Sequence, residues 1–102
     1  MSEKIYSIGD IKRILSEILA NTDVEKAILF GSYAKNIPNK NSDIDLYIDS
    51  KGKIKGLKFF SIIELIRERF DKEVDVIEKA EIDENSVIER EIMNTGVVVY
   101  EK

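Results

Sequence analysis

Two carboxylates one residue apart, Asp43 and Asp45, enter the apolar run Ile44-Asp45-Leu46-Tyr47-Ile48. In a strand, alternate residues share a face, so Ile44, Leu46 and Ile48 turn to a core and Asp43, Asp45 and Tyr47 turn away from it. Carboxylates held that close repel one another unless positive charge lies between them. A pair of Mg²⁺ ions supplies such charge, and two-metal phosphoryl-transfer sites are built this way. Upstream, the apolar run Ala27-Ile28-Leu29-Phe30 stops at Gly31-Ser32. Gly31 lets the backbone turn sharply and approach a ligand with no Cβ in the way. Ser32, Tyr33 and Ala34 can begin a helical turn whose free N–H groups suit a phosphate, with the Ser32 hydroxyl as a further donor. Each half alone is commonplace: Gly-Ser after a strand is usually a turn, and Asp-x-Asp is often a solvated strand edge. Together, between two apolar runs, they point to phosphate chemistry.

Composition narrows the chemistry further. The chain has 102 residues, enough for one domain with a modest core, so residues 1–102 are expected to form a single domain. At 43% hydrophobic and 35% charged residues it reads as globular rather than disordered. It has no Cys and no His, which excludes a Cys nucleophile, a Ser–His dyad, disulfides and the usual zinc sites. Oxygen ligands alone favour Mg²⁺, with Mn²⁺ as the other choice. The net charge of −4 argues against direct nucleic-acid binding through phosphate contacts. No apolar stretch is long enough for a membrane span, and Met1-Ser2-Glu3-Lys4 carries no signal-peptide pattern. A cytoplasmic location is expected.

The elements that must position these residues follow from periodicity. Ser7 is an N-cap with Asp10 at N3, and Ile8, Ile11, Ile14, Leu15, Ile18 and Leu19 predict a helix over about Ile8 to Ala20. A strand over Val24 to Phe30 delivers Gly31-Ser32, and a second over Ile44 to Asp49 carries the carboxylates. Lys51, Lys53, Lys55 and Lys58 make the next loop basic; a solvated linker is the simpler reading of it, a phosphate or partner contact the other. A helix over Leu57 to Phe70 has Phe59, Phe60, Ile63, Ile66 and Phe70 on its apolar side, widened by Leu57, Ile62 and Leu65, so that one side is available to a partner. Glu73 to Ile77 is a strand with Asp75 between two valines, where a buried unpaired carboxylate is costly and an outward one is not. Asp83, Asn85 or Ser86 caps a last helix ending near Asn94, with Val87, Ile88 and Ile92 inward and Gly96 fitting a left-handed terminus. Val97 to Tyr100 is the final strand. The fold class is α/β, a small mixed sheet with packed helices.

Gly31-Ser32, ten intervening residues and Asp43-x-Asp45 resemble the signature of the polymerase-β-like nucleotidyltransferase superfamily. The brevity of the chain and its helix–Gly–strand ending resemble the minimal nucleotidyltransferase (MNT) branch, and the likeness runs from the first helix to the last strand. The resemblance implies a third metal-binding carboxylate after the long helix, which Asp75 matches, with Glu73 and Glu78 as weaker candidates. It implies transfer of AMP from ATP to a hydroxyl, with two Mg²⁺ ions on Asp43, Asp45 and Asp75 and the phosphates on Gly31 and Ser32, helped by Lys35. It also implies a partner, a helical HEPN toxin modified on a tyrosine, with which this chain forms a hetero-oligomer as its antitoxin. Two positions depart from the family pattern: Lys35-Asn36 stands where Arg-Gly is common. Asn tolerates a left-handed turn, but Lys cannot grip a phosphate bidentately. The competing expectations are an antitoxin that acts by binding alone, a transferase for a small molecule such as an aminoglycoside, and an RNA-tailing enzyme.

Overall fold

The computed structural model describes residues 4–35 and 37–102. The expectations for Asn36 and for the first three residues lie outside the described residues. Ser7 opens α1 (Ile8–Leu19) with a full capping box: its hydroxyl accepts from the Asp10 N–H at 3.0 Å, and Asp10 accepts from the Ser7 N–H. The chain then forms β1 (Lys26–Phe30), the single turn α2 (Gly31–Ala34), β2 (Ile44–Asp49), α3 (Leu57–Phe70), β3 (Val74–Glu78), a short 3₁₀ turn (Lys79–Glu81), α4 (Val87–Thr95) and β4 (Val97–Glu101).

The sheet order is β3-β2-β1-β4. β1 runs antiparallel to both β2 and β4, and α3 carries the chain back so that β3 is parallel to β2. The main core lies on one face. There Ile11, Leu15 and Leu19 of α1 and Phe59, Ile62, Ile66 and Phe70 of α3 meet Leu29, Ile44, Leu46, Ile48 and Val99 of the sheet. Tyr6 ties the entry of the chain to this core: its hydroxyl donates to the Phe70 carbonyl at 2.7 Å and its ring meets the Phe70 ring edge-on. On the other face a smaller cluster of Ile28, Tyr47 and Ile92 seats α4. That second face is the one Asp45 and Asp75 share.

Three expectations are corrected. Val87 and Ile88 do not face inward; both are exposed, and Glu89 and Ile92 are the buried residues of α4. Glu89 is admitted to the interior because the Tyr47 hydroxyl donates to it at 3.0 Å and the Asn85 N–H at 2.9 Å. Gly96 is not left-handed, with φ −75°; it is needed because a Cβ there would run into Ile28 and the Ile92 carbonyl. On α3, Phe60 is 57% exposed whereas Ile62 is buried, so the inward stripe is Phe59-Ile62-Ile66-Phe70. Leu57 and Leu65 are exposed as well.

Candidate active site

β1 ends at Phe30, opposite Asp45 on β2, and Asp45 lies opposite Asp75 on β3. Gly31 is the next residue of the chain, with φ +74°, a conformation that strains any residue with a side chain. A Cβ on Gly31 would collide with the Asp45 carboxylate. The chain turn, the half-buried Asp45 and the exposed Asp75 therefore sit side by side across three neighbouring strands, and Asp43 lies exposed just before β2. Burial, then the negative charges of Asp75 and Asp43, push the Asp45 carboxyl up to about 6.

The donor set suits a hard divalent cation, since every candidate ligand is a carboxylate and none is nitrogen or sulfur. Among the described residues no group of three His, Cys, Asp or Glu side chains converges closely enough to hold an ion as they stand. Mutual repulsion opposes such convergence until a cation supplies the counter-charge. The donor set thus suits a metal by chemistry, and an ion bound there would have to draw the carboxylates together.

α2 follows directly, its turn closed by the Lys35 N–H on the Gly31 carbonyl at 3.1 Å. Ser32 is half-buried in this turn and Lys35 is exposed at its end. Lys35, Gly31 and Phe30 share a cavity of about 190 Å³ with Ile88, Glu91, Ile92 and Thr95 of α4. Periodicity in the sequence turned Ile88 into the core and so hid this wall, which the structure leaves exposed. A larger cavity of about 470 Å³ opens at the opposite end of the sheet, around Asp49, Ser50, Glu78 and Lys79. It lies apart from the candidate site, because β2 and β3 carry Asp45 and Asp75 at their other ends. Glu78 belongs to that remote cavity, and Glu73 lies exposed beside Arg67, 4.0 Å from it. The basic loop is also remote: Lys53 pairs with Glu25 at 3.0 Å, beyond the far end of β2.

Tyr47 lies two residues beyond Asp45 on the same face and is buried against α4. Burial, then its bond to Glu89, push the Tyr47 hydroxyl up, while the Asn85 N–H and then Tyr47 hold the Glu89 carboxyl down. This pair fixes α4 over the sheet, and so sets the wall of the cavity beside Gly31.

A glycine turn after a strand, set against carboxylates on the next two strands across the sheet, is the arrangement of a nucleotidyl-transfer fold. The sequence model of the polymerase beta nucleotidyltransferase family matches residues 11–102, and the chain belongs to that family. A protein of Methanocaldococcus jannaschii, named as a candidate protein adenylyltransferase, is 33% identical over 100 residues, covering 91% of this chain and 98% of its own. A toxin–antitoxin crystal structure with AMP-PNP contains a chain of like fold, with TM-score 0.74 and 17% identity, over 89% of this chain and 73% of that one. A complex of tri-AMPylated HEPN toxin with MNT antitoxin from Shewanella oneidensis gives TM-score 0.69 and 14% identity, over 93% and 73%. Among the described residues no helix is long and apolar enough to cross a membrane.

Proposed function

We propose that this protein transfers AMP from ATP to a tyrosine hydroxyl of a HEPN toxin partner, and thereby acts as its antitoxin in the cytoplasm. The observation that carries the reading is Asp45 held between the Gly31 turn and Asp75. The naming of a relative as a protein adenylyltransferase and the AMPylated toxin in a complex of like fold support it. Asp43, Asp45 and Asp75 would hold two Mg²⁺ ions, or Mn²⁺, whose bound charge would favour pyrophosphate as a leaving group and lower the pKa of the attacking hydroxyl.

The chain's own residues do the rest. Gly31 and Ser32 bind the β and γ phosphates with backbone and hydroxyl donors, which leaves the α-phosphorus open to in-line attack. Lys35 adds a point charge at the same end. Phe30, Ile88 and Ile92 offer an apolar wall for the flat base. The hydroxyl oxygen forms a bond to the α-phosphorus as the bond from that phosphorus to the bridging oxygen breaks. Pyrophosphate leaves with the electron pair, and the hydroxyl proton passes to the Asp75 carboxylate and on to solvent.

A second reading, neutralisation by binding alone, draws on the exposed Leu57, Phe60 and Leu65 of α3. The intact mass of the HEPN partner after incubation with this protein, Mg²⁺ and ATP separates the two. AMP transfer predicts a gain of one or more AMP units that Asp43→Asn abolishes. An unmodified partner that is nevertheless fully neutralised, by wild type and variant alike, selects binding.

A further inference from the structure

β3 is an edge strand, and it is the edge that carries Asp75. Which way its backbone groups point can be worked out from two hydrogen bonds. The Ile44 N–H donates to the Glu73 carbonyl at 3.1 Å, so in this parallel pair the groups of Glu73, Asp75 and Ile77 turn toward β2. Those of Val74, Val76 and Glu78 turn outward. The second bond agrees: the Arg67 Nε–H donates to the Val74 carbonyl at 3.2 Å, from outside the β2 pairing. Arg67 thus guards the start of the edge. Beyond it β3 carries no proline, and no residue of the strand has a positive φ, so neither of those two features interrupts the edge from Val76 to Glu78.

We infer that this edge docks the acceptor: an extended segment of the protein substrate adds antiparallel to β3, pairing with the N–H and C=O of Val76. The inference rests on the adenylyl-transfer reading above and names how its substrate is held. In such a pairing the residue opposite Asp75 is a non-hydrogen-bonded neighbour at about 4.5 Å between Cα atoms, the closer of the two antiparallel spacings. Its side chain stands on the same face as Asp75 and Asp45. A tyrosine there carries its hydroxyl past Asp75 toward Asp45, one strand spacing of about 4.8 Å further in. A serine hydroxyl, one bond beyond Cβ, stops short. In strand addition, main-chain bonds give affinity and one side chain gives specificity.

The pairing makes a positional prediction. The residue before the tyrosine pairs with Val76, so its N–H points at β3; the tyrosine's own N–H points away. The Arg67 contact already occupies the Val74 carbonyl, which weakens pairing on the far side of the tyrosine. The test uses the wild-type protein, ATP, Mg²⁺ and a short β-prone peptide with one central tyrosine, read by intact mass. N-methylation of the residue before the tyrosine is expected to cut the rate of AMP incorporation at least tenfold. N-methylation of the tyrosine itself is expected to leave it within about twofold. Val76→Pro removes the outward N–H from the protein side and is expected to raise KM for the peptide at least tenfold. Equal losses at the two methylation positions overturn the docking mode. So does AMP transfer to a folded HEPN partner with none to the peptide. Absence of transfer to both acceptors instead removes the adenylyl-transfer reading beneath it.

Discussion

Replacing Asp45 with Asn separates a carboxylate kept for function from one kept for the fold. Burial and the charges of Asp75 and Asp43 raise the Asp45 carboxyl from 3.8 to about 6. A raised acid pKa means that the folded state resists ionisation. Below the unfolded value both states are protonated and no penalty exists; as pH rises through about 4 to about 6 the penalty grows, and above that it is complete. The shift of about two pH units corresponds to an upper bound of about 3 kcal/mol at 1.36 kcal/mol per unit. Asp45 is only half-buried, and solvent screening reduces this to about 1–2 kcal/mol. Asn has nearly the same shape and no charge. In EDTA at pH 7, Asp45→Asn should therefore be more stable than wild type, by about 5–10 °C in Tm for a domain of this size. The gain should vanish near pH 4. Thermal melts of both proteins from pH 4 to pH 8 measure it. Adding Mg²⁺ should raise the wild-type Tm and leave the variant's unchanged, because only a state that binds the ion is stabilised by it. A variant that is less stable in EDTA, or a gain independent of pH, would refute the electrostatic reasoning.

Four further outcomes are expected. Gly31→Ala forces a Cβ against Asp45 at a positive φ; it should cost about 1–2 kcal/mol from the backbone alone and abolish ATP binding, measured by melts and calorimetry. Tyr47→Phe leaves Glu89 with the Asn85 N–H but without its buried hydroxyl partner, which should cost about 1–2 kcal/mol in urea unfolding. Gly96→Ala meets Ile28 and the Ile92 carbonyl at an ordinary φ, so overpacking alone should cost about 1–3 kcal/mol, visible as a lower Tm. Ile88→Ser, on an exposed wall of the cavity beside Gly31, should raise KM for ATP several-fold with kcat little changed, in a pyrophosphate-release assay.

Legibility in the sequence followed how local each signal is. The Ser7–Asp10 box and the alternation of Ile44, Leu46 and Ile48 are complete within a few residues, and the bounds of α1 and β2 could be read from them. α4 could not be phased in the same way. The partner that lets Glu89 be buried is Tyr47, 42 residues away in the chain, so an inward Glu and an outward Ile88 contradict local periodicity. Gly96 was expected to be left-handed, and the close approach of Ile28 that accounts for it instead is set by the pairing of β1 with β4. The stripe of α3 holds apolar residues nearly all round, which hid the difference between Phe60 and Ile62. For the candidate site, Gly31-Ser32 and Asp43-x-Asp45 stand out as a pair of motifs. That Asp75 falls opposite Asp45 depends on parallel pairing across α3, which no local pattern encodes.

The proposed reaction moves the α-phosphoryl of ATP to a partner hydroxyl. The test gives the protein, the proposed HEPN partner and Mg²⁺ either ATP labelled at the α-phosphorus or ATP labelled at the γ-phosphorus. Partner labelled from the α position only, pyrophosphate released in equal amount and no label with Asp43→Asn are the expected results. Label from the γ position, or neutralisation of the partner with no label from either, would contradict it.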